Sequence, residues 1–307
     1  MSRRICVPNC NMRGRVFAGV SEGGTLSQGG GMSDRASIVS VVRIAGGHAR
    51  TDQDLVAAEA PVSIQLYQPD APARQPFGVL MRTPGDDADL VLGLLHGEGV
   101  ITSATDVITM HHRPAPPDEN RPDAAGDVIE VELASHIDLE NVAGRAMAST
   151  SACGLCGRLE MHRVGSVGGA AAVATSATVV SRLPDTLRSQ QAVFAETGGL
   201  HAAALFDLEG TCLALREDVG RHNAVDKVIG SALSAGRLPA THAMLAVSGR
   251  VAFEIVQKVV LAGIPLLVAV GAPSSLAVDA ARAAGLTLIG FVRDGRFNIY
   301  TRPDRVR

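Results

Sequence analysis

Lysine is almost missing from this chain: of 28 basic residues only Lys227 and Lys258 are lysines, and the rest are arginines. Arginine's planar fork suits phosphate and carboxylate, although the codon bias of a GC-rich genome accounts for the excess equally well. Cysteine is also scarce. The five that exist (Cys6, Cys10, Cys153, Cys156 and Cys212) are too few and too unevenly spread for a disulfide framework, which favours a reducing, cytoplasmic setting. The longest apolar run, Val259 to Ala272, is 14 residues long, contains Pro265 and is too short to span a bilayer. No membrane association is expected. A formal charge of -3 offers no basic stripe for nucleic acid.

What remains is a chain of 307 residues with 46% hydrophobic residues, enough for a sizeable core and about two domains. Its most pointed chemical feature is Cys153-Gly154-Leu155-Cys156-Gly157, two thiols three positions apart between glycines. The preceding Ala143 to Ala152 follows neither a helical nor a strand period, so the thiols are expected on a mobile, approachable loop. Such a loop suits a sulfur that must visit two partners. A structural metal half-site is the plainer reading of an isolated C-x-x-C pair.

Residues 1–32 are glycine-rich in their second half and read as a disordered extension, with Met32 as an alternative start. Arg3-Arg4 lacks the apolar stretch that a twin-arginine signal needs. Residues 33–135 read as a smaller α+β domain. Its strands are Ile38 to Ile44, Val62 to Tyr67 and Phe77 to Met81, and its helix begins near Asp86-Asp87 and stops at Gly97. Strands at Val107 to Met110 and Val128 to Leu133 flank a proline-rich surface loop. Residues 136–182 form the expected mobile region carrying Cys153 and Cys156.

From residue 183 to 307 the pattern becomes regular alternation of apolar strands with amphipathic helices. A helix is expected over Asp185 to Glu196, then strands His201 to Phe206 and Cys212 to Leu215 and a helix His222 to Ser234. Strand Ala243 to Val247, helix Val251 to Ala262, strand Leu266 to Val270, helix Ser275 to Ala284 and strand Leu286 to Val292 complete the series, and Asp294-Gly295 signals a closing hairpin. That alternation argues for an α/β sheet covered on both faces.

In such sheets ligands collect beyond the carboxyl ends of the strands. Three segments follow strands: Ser248-Gly249-Arg250, Gly271-Ala272-Pro273-Ser274-Ser275, and Val292 to Arg296. Arg250, Arg293 and Arg296 thereby bring three cations to three predicted strand ends, as a nucleotide pocket would. Arg216 to Asn223 packs ionisable or amide groups between a strand and a helix. It reads either as a capped helix start, with Asp218 or Asn223 capping, or as a wall of an anion pocket formed by Arg216 and Arg221. His222 could serve as a base, a metal ligand or a plain helix-start residue.

Nine segments, taken in order, resemble the FdhD family of formate dehydrogenase accessory sulfurtransferases from about Ser37 to Arg305. They are Glu59-Ala60-Pro61, Met81 to Asp87, Gly97 to Ile101, Cys153 to Gly157, Thr197 to His201, Arg216 to Lys227, Ser248 to Arg250, Gly271 to Ser275 and Phe291 to Arg296. The resemblance implies a fold similar to that of cytidine deaminases, a mixed sheet flanked by helices with a smaller N-terminal domain, usually paired as a homodimer. It implies a sulfur carrier that takes a persulfide from a cysteine desulfurase. The sulfur would pass to the bis-guanine-dinucleotide molybdenum cofactor before its insertion into formate dehydrogenase. Cys153 would carry the persulfide with Cys156 assisting or resolving, and Phe291, Val292, Arg293, Asp294, Gly295 and Arg296 match the family's cofactor-binding stretch. No resident metal is expected.

Two other readings stand beside it. His96-Gly97-Glu98 upstream of Cys153-x-x-Cys156 loosely matches the zinc deaminase pattern, but Ala152 replaces its proline and His96 lies at the end of its helix. Cys6, Cys10, Cys153 and Cys156 offer four thiols for a non-enzymatic zinc staple.

Overall fold

The computed structural model describes residues 32–114, 126–139, 142, 165–167 and 173–307. A helical turn (α1, Met32–Arg35) leads into a two-stranded antiparallel ribbon, β1 (Ala36–Ala45) and β2 (His48–Ala57). Gly46 and Gly47 turn the ribbon with φ of +57° and +80°, values that glycine takes without a Cβ penalty. The sequence pattern gives β1 but not β2, because Asp52, Gln53 and Asp54 on an exposed ribbon leave no apolar alternation to detect.

A four-stranded sheet follows in the order β4-β3-β6-β5, from β3 (Ala60–Gln68), β4 (Ala71–Arg82), β5 (Val107–Pro114) and β6 (Asp127–Leu133). Val62, Ile64 and Leu66 alternate inward on β3 and pack with Ile129 and Val131 of β6 against Leu90, Val91 and Leu95. Those last three belong to helix α2 (Asp87–Gly97).

The larger sheet has six strands in the order β12-β11-β10-β9-β7-β8. Its members are β7 (His201–Asp207), β8 (Cys212–Asp218), β9 (Ala243–Val247), β10 (Leu266–Ala269), β11 (Thr287–Arg293) and β12 (Arg296–Thr301). Strands β9, β10 and β11 run parallel, β7 and β12 run against them, and the edge strand β8, antiparallel to β7, runs in their direction. Helices α5 (Arg221–Ser234), α6 (Phe253–Leu261) and α7 (Ser275–Ala284) connect the strands, and every residue of β9 and β10 is buried. Continuous apolar runs are what a sheet covered on both faces requires. The α/β sheet expected from the alternation is therefore present, and it is mixed, as the resemblance implies.

Two expectations need correction. The helix expected over Asp185 to Glu196 is two helices, α3 (Ala177–Ser189) and α4 (Ala192–Thr197). Ser176 caps the first by accepting the Val179 N–H at 3.1 Å, and Pro184 lies inside it. Val180, Leu183 and Leu187 supply the buried stripe, and this periodicity carries the helix back to Ala177, ahead of the expected start at Asp185. The helix expected from Val251 begins at Phe253 instead, because Val251 is spent on a bridge to Pro273.

Helices α2 and α5 cross at glycine. A Cβ on Gly93 would lie 1.8 Å from the Asp226 carbonyl oxygen, and one on Gly230 would lie 1.9 Å from the Asp89 carbonyl oxygen. This crossing locks the α2 helix of the smaller sheet onto the α5 helix of the larger one.

Candidate functional site

The parallel strands β9, β10 and β11 all end at the same edge, and antiparallel β7 begins there with His201. Local hydrogen bonds fix the loops that leave this edge. Gly271 N–H donates to the Gly249 carbonyl (3.2 Å), Val251 N–H to that of Ala272 (3.1 Å), and Phe291 N–H to that of Gly271 (3.1 Å). A Cβ on Gly271 would meet the Gly249 carbonyl oxygen at 2.8 Å, so this glycine is needed for loop packing.

Beyond these strand ends lies a cleft of about 610 Å³, a size suited to a nucleotide. Its lining includes His201, Ser248, Val270 and Val292 from the strand ends, and Arg293 and Asp294 from the loop after β11. Asp185 and Arg188 of α3, Gln191 and Phe194 also line it. The Arg188 guanidinium sits 3.7 Å from the centre of the Phe194 ring, a cation–π stack at the cleft wall. The lining carries both signs of charge.

Several predicted residues meet here and others do not. Ser248, Val292, Arg293 and Asp294 line the cleft directly. The Ser248 hydroxyl oxygen already accepts the Ala202 N–H at 2.9 Å, which ties the β9 end to β7. Gly249 approaches both His201 and Arg221, since a Cβ there would lie 3.4 Å from the imidazole and 3.6 Å from the arginine stem. Arg221 holds a buried Nε that has no hydrogen-bond partner among the described residues. Burial first, and the Arg221 charge second, hold His201 below the usual imidazole range, so it is neutral near pH 7.

Around the same edge, Phe291, Asp294 and Gly295 take left-handed φ of 56°, 51° and 73°. Phe291 is 39% exposed, an aromatic face offered to solvent beside the strand end. Arg293 pairs with Arg296 across the tight turn, and Arg296 leans 3.6 Å from Asp294. Arg250 is exposed. Ser274 caps α7 by accepting the Ala277 N–H at 3.2 Å, and Ser275 opens that helix, exposed. His222 lies half-buried in the first turn of α5. Cys153 and Cys156 fall outside the described residues.

Arg216 is the clear correction. It does not reach the cleft, because its guanidinium grips Asp89 at 2.7 Å and Ser231 at 3.1 Å. The partners lie on α2 and α5. The polar segment that contains it is a staple: Asp218, fully buried, accepts the N–H groups of Thr83 (3.1 Å) and Gly220 (2.8 Å) and the Asn223 amide (2.9 Å). Neither Asp218 nor Asn223 caps α5; Gly220 holds that position.

Other acidic and histidine groups are accounted for structurally. Asp87, His112 and Asp127 bring three potential ligand atoms within 4.8 Å of one another. The Arg82 guanidinium, 1% exposed, bonds both carboxylates and supplies the positive charge. His96, at the end of α2, is buried, and its proton affinity is lowered by burial and then by the Lys258 ammonium. A dication would be poorly placed beside that ammonium, which weighs against the zinc deaminase arrangement.

Residues the sequence reading left out of the site are Arg188, Gln191, Phe194 and His201. Only His201 carried a signal, the Gly198-Gly199-Leu200-His201 turn. Arg188 and Phe194 meet across a helix break that the pattern had merged into one helix.

The fold and cleft define a class: a mixed α/β protein with a nucleotide-sized pocket at the carboxyl ends of its parallel strands. Residues 57–307 match the model of the FdhD/NarQ family, and the chain belongs to that family. It is 46% identical over 271 residues to the sulfur carrier protein FdhD of Nocardia farcinica, covering 87% of this chain and 93% of that one. To that of Mycobacterium tuberculosis it is 45% identical over 262 residues, covering 83% and 93%. To that of Saccharolobus solfataricus it is 40% identical over 275 residues, covering 90% and 100%. A solved structure of a candidate formate dehydrogenase accessory protein from Desulfotalea psychrophila shares the fold. Its TM-score is 0.66 at 23% identity, covering 89% of this chain and all of that one. Among the described residues no helix is long and apolar enough to cross a membrane.

Proposed function

We propose that this protein is a sulfur carrier of formate dehydrogenase maturation. It accepts persulfide sulfur on Cys153 from a cysteine desulfurase and delivers it to a bis-guanine-dinucleotide molybdenum cofactor held as cargo. The observation that carries the reading is the cleft with Arg188 and Arg293 on its walls, in a chain that also bears Cys153-x-x-Cys156. Guanidinium groups bind diphosphate oxygens bidentately, and an exposed aromatic such as Phe291 offers a face to a base.

The first step is thiol exchange. The Cys153 thiolate attacks the outer sulfur of the desulfurase persulfide, the donor's sulfur–sulfur bond breaks, and the donor cysteine leaves as a thiolate. Cys153 then holds the sulfane sulfur. Release of that sulfur as sulfide takes two electrons, which Cys156 supplies by attacking the Cys153 sulfur and closing a disulfide. A cationic surrounding lowers the thiol pKa and raises the thiolate fraction.

The test is intact-mass analysis after incubation with a cysteine desulfurase and cysteine. One added sulfur on the wild type, absent from Cys153→Ala, is the expected result. Sulfur loading of Cys153→Ala, or its full activation of apo formate dehydrogenase, overturns the assignment. In solution the protein is proposed to be a cytoplasmic homodimer, which sedimentation of the purified chain checks.

A further inference from the structure

Gln191 is only 4% exposed, lines the cleft, and its amide nitrogen Nε2 has no hydrogen-bond partner among the described residues. A buried donor left unpaired carries a desolvation penalty that a bound acceptor would relieve. Its two neighbours in the wall fit a flat ligand. Phe194, three residues on, lies under the Arg188 guanidinium, so a hydrophobic and cationic plane lines the same cleft. Arg293, also on the lining, supplies a cation suited to phosphate. The cleft thus offers cations for phosphate and an unpaired donor for a base.

We infer that Gln191 is the specificity-determining residue of the cleft, donating its buried amide N–H to the exocyclic 6-oxo group of an oxopurine nucleotide. The inference rests on the reading of the cleft as a nucleotide site and adds which edge of the base is read. An oxo group at position 6 accepts that hydrogen bond. An amino group at the same position offers only another donor and leaves both groups unsatisfied. The backbone around Gln191 is held in place: its carbonyl accepts the Ala195 N–H at 3.0 Å, and the Glu217 carboxylate accepts the amides of Val193 and Phe194 at 3.1 and 2.8 Å.

The experiment is calorimetric titration of the full chain with GDP, IDP and the diphosphate of 2,6-diaminopurine riboside. The last keeps the 2-amino group of guanine and changes only position 6. GDP and IDP are expected to bind alike, and the diaminopurine nucleotide about tenfold more weakly. Gln191→Leu should reduce GDP affinity about tenfold and erase that discrimination, whereas Gln191→Glu should favour the diaminopurine nucleotide. Equal binding of GDP and the diaminopurine nucleotide to the wild type overturns the inference while leaving the nucleotide site intact. Failure of every diphosphate to bind the wild type overturns the nucleotide reading itself. The wild-type comparison decides the matter even if a variant fails to fold.

Discussion

Lys227 sets its ammonium 2.7 Å from the carboxylate of Asp218, and neither side chain reaches solvent. The lysine also donates to the Thr83 carbonyl at 2.8 Å. Val219 N–H donates to the Thr83 hydroxyl at 3.1 Å. One threonine at the end of β4 is therefore stitched to the end of β8 and the middle of α5. This pair joins the smaller sheet to the larger one near the cleft.

The pair is asymmetric, and its two halves should fail unequally. Lys227→Met leaves a carboxylate still solvated by three N–H donors, at a cost of about 3 kcal/mol. Asp218→Leu strands the ammonium and those three donors together, at a cost of about 5 kcal/mol or more. Urea unfolding midpoints of the two variants check the order.

The helix crossing permits no side chain on either glycine. Gly93→Ala and Gly230→Ala should each cost about 3 kcal/mol, because a carbonyl must move by more than an ångström to admit the methyl group. The double variant should cost less than the sum, since one separation of the helices relieves both clashes. Gly78→Ala, with nothing within 4 Å of the added carbon, should change the unfolding midpoint within experimental scatter.

Arg216 and Arg293 should divide into stability and binding. Arg216→Ala removes the bonds to Asp89 and Ser231 and should lower stability by about 1–2 kcal/mol while GDP affinity stays unchanged. Arg293→Ala, exposed at the cleft, should weaken GDP binding about tenfold or more and leave the melting temperature alone. Paired calorimetry and thermal melts on both variants read the division.

The buried histidine sets an acid limit. His96 is held below its ordinary 6.5 by burial and by Lys258, so below about pH 6.5 the unfolded chain binds protons that the folded chain does not. Stability contributed by the neutral ring is present above that pH and lost as the pH falls. Asp226 acts in the opposite sense. Its pKa is raised to about 6 by burial, against the attraction of Lys258 at 2.6 Å, so between 3.8 and 6 the folded state binds the extra proton. His96→Gln should therefore flatten the fall in melting temperature from pH 7.5 to 6, and a profile as steep as the wild type would contradict this.

Local pattern made much of this protein legible. Every strand and helix from His201 onward follows from apolar runs and their turns, and β9 and α7 match residue for residue, because burial on both faces imposes continuous apolar sequence. The strand-end rule also placed Ser248 and Val292 to Asp294 at one cleft, since parallel strands deliver their carboxyl ends to a common edge. Helices α3 and α4 were less visible, for the pattern over Asp185 to Glu196 merged them and only the packing of Val180 in the core reveals the earlier turn.

Tertiary structure alone decided the partners of the polar residues. Nothing within Arg216 to Asn223 distinguishes an arginine aimed at phosphate from one gripping Asp89, which is 127 residues away in sequence. Gln191 carries no local signal either, and only assembly of the cleft lining shows a buried amide nitrogen without a partner among the described residues. Periodicity records which face of an element is apolar, a property of neighbours along the chain. Hydrogen bonding and charge pairing depend on which distant groups the folded backbone brings within reach.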